Sequence, residues 1–504
     1  MSMPAEQLTT TRCLSELLRG FADAPACDVF GIASDSRSLK PGDLFLACGG
    51  ENNHGLDYVS DALTAGVAAI AWDSSTAAAP KVEVGIPLVA VPRLARHLGD
   101  IANRFYGHPS ATVRVAGVTG TNGKTTVAWL IAQCCEQLDF RCGYVGTLGT
   151  GIGEIESGAG MTTPGAVELH GSLADFRDQG AVAAVIEVSS HALAQNRVDG
   201  VVFDSVLFTN LSRDHLDYHG DMHNYAEAKA KLFLEHSAKH RIINLDSEFG
   251  TQLADRCGQD VVTVSTKLDR VENGRPYVFV RSVIAKNGGS KVGVNTAWGD
   301  GEFALHLPGD FNVANAVIVL ALLLRQGVPM DKACDVLSTV SAPPGRMQRV
   351  AAPDASPSVY VDYAHTPAAI DVALRALKTH CKGKLWCVFG CGGDRDAGKR
   401  AQMGKMAERR ADRIVVTSDN PRNEEPADII AAIVTGLGSP ERATIIEDRA
   451  AAIAWTIAQA AAEDVVLIAG KGHENYQLIG ADRIDFSDYG VAQANLARKV
   501  ETGE

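Results

Sequence analysis

Short β-branched and apolar runs alternate with helical patterns from Val113 onward. VRVAGV, AAVIEV, SVLFTNL, RIINLD and VVTVS each stop at a polar or glycine-rich stretch, which predicts buried strands; helices are expected from Lys124 and around Tyr225 to Leu234. That rhythm predicts a largely parallel α/β sheet. From about Asp269 to Leu307 the chain is rich in Gly and Asn, alternates as a hairpin does, and leads into the apolar helix AVIVLALLL. A linker is expected at SAPPGR, residues 341 to 346, and beyond it SVYVDY, KLWCVFG, RIVVTSD, ATIIED and DVVLIAG repeat the α/β rhythm. Residues 1 to about 108 read as a smaller mixed α/β region, with a DSR turn at Asp35 to Arg37, the apolar stretch DLFLA and a helix-like run from Val59 to Ala65. Three domains result, at 1–108, 109–343 and 344–504, in keeping with 504 residues at roughly 100 to 200 per domain.

Composition narrows the class. With 46% hydrophobic and 21% charged residues, the chain is an ordinary globular protein rather than a disordered or fibrous one. No apolar run approaches the ~20 residues of a membrane span, and no charged start precedes an apolar block at the N-terminus. An unexported, cytoplasmic protein without membrane insertion is therefore expected. Eleven scattered cysteines form no repeated C-x-x-C pairs and suit reduced thiols. The net charge of -13 argues against general nucleic-acid affinity, so a polyanionic ligand must be held by local cations and backbone amides.

The polar motifs TGTNGKTT, EVSSH, TNLSRDH, DYAHTP, GCGGDRD, TSDNPR and GKGHE each begin where a strand-like run stops. Ligands of open parallel sheets bind outside the carboxyl ends of the strands, so two α/β domains with motifs at that edge imply a cleft between them. GVTGTNGKTT looks like a phosphate-binding loop but departs from G-x-x-x-x-G-K-[ST], because Val118 stands five residues before Gly123. The flanking strand and helix still let backbone amides cradle phosphate, Lys124 reach the terminal phosphates and Thr125 offer a hydroxyl to magnesium. Glu187, ending AAVIEV, is the candidate second-strand carboxylate near that metal, with a solvated glutamate as the alternative. DHLDYH has H-x-x-x-H spacing at His215 and His219, a zinc-like pattern, yet the turn after LFTNLSRD does not obviously start a helix. Lys229 lies four residues after Tyr225 and four before Phe233, on the apolar face of a helix, while Lys231 points elsewhere. A desolvated lysine becomes a neutral amine. The alternative, which periodicity alone favours, is a snorkelling lysine whose head reaches water.

Together G-x-x-G-T-N-G-K-T-T, EVSSH, SRDHLDYH, the Y-x-x-A-K helix, PPGR and DYAHTP resemble the Mur ligases, which build the peptide stem of peptidoglycan, over nearly the whole chain. DNPR at 419 to 422, with GDRD and GKGHE, is most similar to the diaminopimelate-adding type. The resemblance implies three α/β domains: one for a UDP-sugar, a central P-loop parallel-sheet ATPase domain, and a C-terminal Rossmann-like domain for the incoming amino acid. It implies a monomeric, ADP-forming ligase that adds meso-2,6-diaminopimelate to UDP-N-acetylmuramoyl-L-alanyl-D-glutamate through an acyl phosphate. Ser34, Ser36, Glu51, Asn52, Asn53, Thr162, Thr163, Ser189, Gln195 and Arg197 would contact the UDP-sugar. His54 stands where family members often carry an acidic residue. Gly120, Thr121, Asn122, Gly123, Lys124, Thr125 and Thr126 would bind ATP, with Asn315, Arg346 and Asp362. Thr125, Glu187, His215 and a carbamylated Lys229 would hold Mg2+, and Lys124, Glu187, His215 and Lys229 would be the catalytic set.

Arg422 is the expected selector of diaminopimelate over lysine, because its planar fork can meet the extra carboxylate with two charge-assisted hydrogen bonds. Asp419, Asn420 and Pro421 shape that loop, and Arg395, Gly470 and Glu474 would grip other polar groups of the amino acid. The alternative is a plain NPR turn with Arg422 solvated. Other readings of the chain are a lysine-adding relative, a folylpolyglutamate synthase-like ligase, or a P-loop ATPase switch.

Overall fold

The computed structural model describes residues 11–50, 53–79, 85–156, 160–267, 274–286, 288–353 and 356–502. Its contacts form two compact units, Met1–Lys124 with Cys135–Val261, and Thr125–Cys134 with Val262–Glu504.

Besides a short antiparallel pairing of Arg12–Cys13 with Asp28–Val29, the first unit contains two sheets. The smaller one is parallel, in the order β1 (Gly31–Ala33), β2 (Asp43–Ala47), β3 (Ala69–Asp73), β4 (Leu88–Val91). DLFLA is β2 and is buried throughout, and the expected helix is α1 (Val59–Ala65), closed by Gly66 in the left-handed region. The DSR segment is a 3-10 turn at Ser36–Ser38, started by the Asp35 carboxylate accepting from the Arg37 backbone N–H. Helix α2 (Leu98–Phe105) meets the turn at Asp199–Gly200 so closely that a Cβ on Gly99 would lie 2.0 Å from the Asp199 carbonyl oxygen.

The larger sheet carries β5 (Arg114–Thr119), followed by α3 (Lys124–Gln137), β6 (Cys142–Gly146), β7 (Gly149–Ile152) and β8 (Glu154–Glu156). After α4 (Ala166–Asp178) come β9 (Ala183–Glu187), α5 (Ser190–Ala194), β10 (Phe203–Phe208), the single turn α6 (Leu216–His219), α7 (Met222–Leu234) and β11 (Ala238–Asn244). The strand order is β8-β7-β6-β9-β5-β10-β11, parallel from β6 to β11. Burial on both faces explains the unbroken apolar runs that predicted these strands. Register sets the functional edge: Glu187 lies beside Val118 and Phe208 beside Thr119, so the loops after β9, β5 and β10 leave the sheet at one level. One expectation is corrected here, since the residues after LFTNLSRD do form a helical turn, with His215 as its left-handed N-cap.

In the second unit β12 (Val262–Ser265) pairs parallel with β13 (Tyr277–Lys286), and β13, β14 (Gly289–Thr296) and β15 (Gly299–Leu305) form the expected antiparallel hairpins. Helix α8 (Asp310–Arg325) is apolar all round and buried from Ala316 to Leu324, as such a stretch must be. Then come β16 (Gln348–Arg349), β17 (Ser358–Asp362), α9 (Pro367–Lys378), β18 (Leu385–Phe389), α10 (Gly398–Arg410), β19 (Arg413–Val416), α11 (Pro426–Val434), β20 (Ala443–Ile445), α12 (Arg449–Gln459), β21 (Val465–Ala469), the hairpin β22 (Tyr476–Ile479) and β23 (Asp482–Asp485), and α13 (Asp488–Thr502). The sheet order is β16-β17-β21-β18-β19-β20, with β16 alone antiparallel. Alternate strand residues enter opposite cores: Cys387 and Phe389 pack with α9 and α10, whereas Trp386 and Val388 pack with α12 and α13. Asp362, Phe389 and Ala469 align across three strands, so DYAHTP, GCGGDRD and GKGHE leave the sheet together, with TSDNPR beside them.

Burial, with Asp100 adding like charge, raises the Asp199 carboxyl from 3.8 to about 6. Between those values the folded protein keeps a proton that the unfolded chain has lost, so this group's contribution to stability falls as pH rises from about 4 to about 6. Asp199→Asn removes that component. Urea unfolding of both proteins across the window measures it, and identical pH slopes would refute the assignment.

Candidate active site

The loop after β5 is built on two glycines with positive φ, Gly120 (148°) and Gly123 (87°). A Cβ on Gly120 would stand 1.9 Å from Thr209 Oγ1 and 3.0 Å from the Asn210 backbone, so only glycine lets the loop lie against the end of β10. Residues from that strand end and from α7 lock the loop. The Asn122 N–H donates to Asn210 Oδ1 (3.0 Å), Asn210 Nδ2 donates to the Asn122 carbonyl (3.0 Å), and the Thr121 hydroxyl pairs with the Tyr225 hydroxyl (3.1 Å). Thr125 and Thr126 are buried in the first turn of α3.

Two lysines converge on one carbonyl. Lys124 Nζ donates to the Gly120 and Thr121 oxygens at 2.9 and 3.0 Å, and Lys229 Nζ donates to the same Gly120 oxygen at 2.8 Å. Lys229 is 1% exposed, between Tyr225 and Phe233 on the buried face of α7. Its head does not reach water, which corrects the snorkelling reading. Burial, reinforced by the charge of Lys124, pushes the Lys229 ammonium well below its ordinary range.

Glu187 is fully buried at the end of β9, which corrects the solvated alternative. Its Oε1 accepts from the Tyr144 hydroxyl (2.5 Å) and the Thr147 N–H (2.9 Å), and Oε2 accepts from the Thr147 hydroxyl (3.2 Å). Thr162 pairs with that hydroxyl at 3.2 Å, and Thr163 donates to the Glu187 carbonyl at 2.6 Å. The Thr163 hydroxyl also accepts from the Ser189 N–H (3.0 Å), and Arg197 Nη1 donates to the Thr163 carbonyl (2.9 Å) while its guanidinium grips Gln195. Thr162, Thr163, Glu187, Ser189, Gln195 and Arg197 thus form one connected group. Tyr144 and Thr147 were missed from sequence, although GYVGTLGT has the same strand-then-polar form as the recognised motifs.

His215 is exposed, 3.6 Å from Asp214, and its ring lies 4.8 Å from that of His191. His219 instead pairs with the Ser190 hydroxyl at 3.0 Å. Among the described residues no three His, Cys, Asp or Glu side chains gather as a metal-binding group. Ser34 and Ser36 follow β1, and Asn53 donates to the Tyr58 hydroxyl at 3.0 Å; Glu51 and Asn52 lie outside the described residues. The departure at His54 has a local role: Nδ1 accepts from the Leu56 N–H and the His54 N–H donates to Asp57, a capping box.

In the second unit, Asn315 is buried on α8 beside Asn312. Asp362 accepts from the Met347 N–H at 2.7 Å, and burial, partly opposed by Arg346, raises its carboxyl. The Arg346 guanidinium stacks 4.7 Å from the Tyr363 ring. TSDNPR and GKGHE are joined by a buried network: Lys471 Nζ donates to Asn420 Oδ1 (2.9 Å) and Glu474 Oε2 (3.2 Å), and Asn420 Nδ2 donates to the same Glu474 oxygen (2.8 Å). Lys471 is fully buried and was missed although it stands next to Gly470. Gly470 is left-handed (φ 120°), and a Cβ there would lie 2.4 Å from Asp419 Oδ2. Arg422, half-buried with φ 53°, donates from Nη1 to the Gly393 carbonyl (2.8 Å), its backbone pairs with Leu478 and Gly480 of the hairpin, and Pro421 before it is buried. Arg395 is exposed.

A glycine turn between a central parallel strand and a helix, with an adjacent strand-end carboxylate and a buried lysine, defines a P-loop α/β nucleotide-binding protein. Comparison with known proteins is more specific. The Mur ligase middle domain matches residues 118–323, the Mur ligase glutamate ligase domain 345–472 and the Mur ligase family catalytic domain 28–106. A Pseudomonas putida protein named UDP-N-acetylmuramoyl-L-alanyl-D-glutamate--2,6-diaminopimelate ligase is 46% identical over 469 residues, 92% of this chain and 94% of that protein. One of the same name from Coxiella burnetii is 43% identical over 96% of this chain and 99% of its own length. A solved structure, also of a ligase of that name, superposes with a TM-score of 0.72 at 33% identity and covers 97% of this chain and 99% of its own. The chain belongs to the Mur ligase family.

Tyr144→Phe tests the clamp on Glu187. Removing one hydrogen bond to a buried carboxylate is expected to lower stability by about 2 kcal/mol, read by urea unfolding at neutral pH. A loss below about 0.5 kcal/mol would show that the Tyr144 hydroxyl does not hold Glu187.

Proposed function

We propose that the chain joins meso-2,6-diaminopimelate to the D-glutamyl carboxylate of UDP-N-acetylmuramoyl-L-alanyl-D-glutamate, with ATP converted to ADP and phosphate, in cytoplasmic peptidoglycan precursor synthesis. The observation that carries this reading is the TSDNPR loop at the same sheet edge as GKGHE, in a chain whose full-length relatives bear that name. The domains divide near residues 108 and 343, and the protein acts as a monomer without nucleic acid or membrane insertion. Among the described residues no helix is long and apolar enough to cross a membrane.

The residues support the chemistry in steps. ATP phosphates lie on the amides of Gly120 to Thr126, with Lys124 turned from the loop carbonyls to the γ-phosphate. Asn315, Arg346 and Asp362 complete the nucleotide site, and the Thr162 to Arg197 group, with Ser34, Ser36 and Glu51 to Asn53, holds the UDP-sugar. Phosphoryl transfer to the glutamyl carboxylate gives an acyl phosphate. The amine of diaminopimelate attacks its acyl carbon, and phosphate leaves from the tetrahedral intermediate as the amide forms.

Magnesium fits part of the donor set. Glu187 and Thr125 offer the hard oxygens it prefers, and an ion that keeps several waters needs few protein ligands. Bound magnesium would neutralise phosphate and carboxylate charge. As an amine Lys229 does not fit, since Nζ is a hydrogen-bond donor to Gly120. Carbon dioxide added to its neutral amine, with loss of a proton, gives a carbamate whose oxygens do fit; His215 completes the proposed set.

Wild-type protein with ATP, the UDP-dipeptide and a panel of amino acids should yield the diaminopimelate adduct by mass spectrometry, with ADP and phosphate formed only when both substrates are present. AMP and pyrophosphate would overturn the acyl-phosphate route. Arg422→Ala should lower kcat/KM for diaminopimelate more than for lysine, by roughly 10 to 1,000-fold, as expected for removing one partner of a buried charge pair. An equal fall for both would remove Arg422 as selector.

Lys229→Ala is expected to lose most activity and to regain part of it with added short carboxylates that occupy the carbamate's place. Near-normal activity of that variant, together with no carbamate signal in carbon-13 labelling of the native enzyme, would sink the modification.

A further inference from the structure

Arg449 is fully buried at the first position of α12, and Asp488 fully buried at the first position of α13. Nε and Nη2 of Arg449 donate to the two oxygens of Asp488, both at 2.7 Å. A cation in the first turn of a helix opposes the helix dipole, and burying an ion pair usually gains little over an apolar pair. Local rules broken in this way tend to mark sites where another requirement governs.

The remaining bonds of the guanidinium show that requirement. Nη1 donates to the Ser418 carbonyl at 3.1 Å and Nη2 to the Ala469 carbonyl at 3.0 Å. Ser418 directly precedes Asp419, and Ala469 directly precedes Gly470. One rigid fork therefore holds the roots of both TSDNPR and GKGHE, while Asp488 fixes the fork from behind. The Gly470 position lies between them, since its missing Cβ would stand 2.4 Å from Asp419 Oδ2 and 3.9 Å from Arg449 Nη2.

We infer that Arg449, held by Asp488, is a positioning residue that sets the spacing of the two loops receiving the incoming amino acid. The inference rests on the proposed reading of those loops as the amino-acid site. Lysine cannot replace the fork, because one ammonium cannot meet a carboxylate bidentately and also span both carbonyls. Aspartate at 488 supplies the countercharge and both acceptors, so Asp488→Asn should leave the guanidinium free to tilt.

The test measures KM and kcat toward diaminopimelate, ATP and the UDP-dipeptide for Arg449→Lys, Arg449→Met and Asp488→Asn, with unfolding curves for each. The expected result is a KM for diaminopimelate raised about tenfold to a hundredfold in all three, with the other two KM values within about twofold of wild type. Arg449→Lys, which keeps a charge opposite Asp488, should be more stable than Arg449→Met yet share its KM defect. The inference is overturned if all three KM values move together, if a folded variant keeps the wild-type KM for diaminopimelate, or if every variant unfolds, since the pair would then only support the fold. Asp419→Ala separates the two readings. If it too leaves the KM for diaminopimelate unchanged, the placement of the amino-acid site has failed; if it raises that KM while the Arg449 variants do not, the positioning role alone has failed.

Discussion

The carbonyl of Gly120 accepts from two lysines at once, and the first unit is arranged around making that possible. Lys124 comes from the residues immediately after the loop, Lys229 from a helix 109 positions away, and both ammonium groups lie within 2.9 Å of one oxygen. Two cations so close in a buried place repel, which is why the Lys229 ammonium is destabilised by Lys124 as well as by burial. A polyanion held at the loop would offset that repulsion. Parallel register supplies the rest, because β9 and β10 end level with β5 and deliver Glu187 and Thr209 to its two sides.

The second unit solves a different problem with similar means. A phosphate presents diffuse charge that backbone amides can cradle, whereas an amino acid presents separate charged groups at fixed distances, which calls for side chains held at fixed distances. Lys471, Asn420 and Glu474 form a closed network in which each polar head has a partner, and such a network rigidifies only when it is complete. The hairpin β22–β23 adds to it, with Gln477 donating to the Asp419 carbonyl and the Leu478 N–H to Asn420. The TSDNPR loop is thereby tied to both GKGHE and the hairpin.

Much of this was legible from residue order. Strands buried on both faces announce themselves as apolar runs, and the motifs fall at their ends as expected because a parallel sheet collects its loops at one edge. What could not be read was where long side chains end. Periodicity placed Lys229 on the buried face of its helix, but whether its head found water or a carbonyl depended on Gly120, far away in sequence. Tyr144 and Thr147 escaped because their role exists only once β6 and β9 are neighbours. DHLDYH misled in a smaller way, since the left-handed conformation of His215 starts a helical turn that its sequence does not advertise.

Lys229, Lys471 and Arg449 are all but fully buried; the heads of Lys229 and Arg449 reach backbone carbonyls at or just past strand ends, and that of Lys471 meets the side chains of Asn420 and Glu474. Burial of a charge is tolerable only where fixed acceptors replace its water, and the C-terminal edge of a parallel sheet is rich in carbonyls freed from the strand ladder. Gly120, Ser418 and Ala469 provide such carbonyls. The C-terminal edge of each sheet is thus a place where long nitrogen-bearing side chains can be buried without being left unpaired.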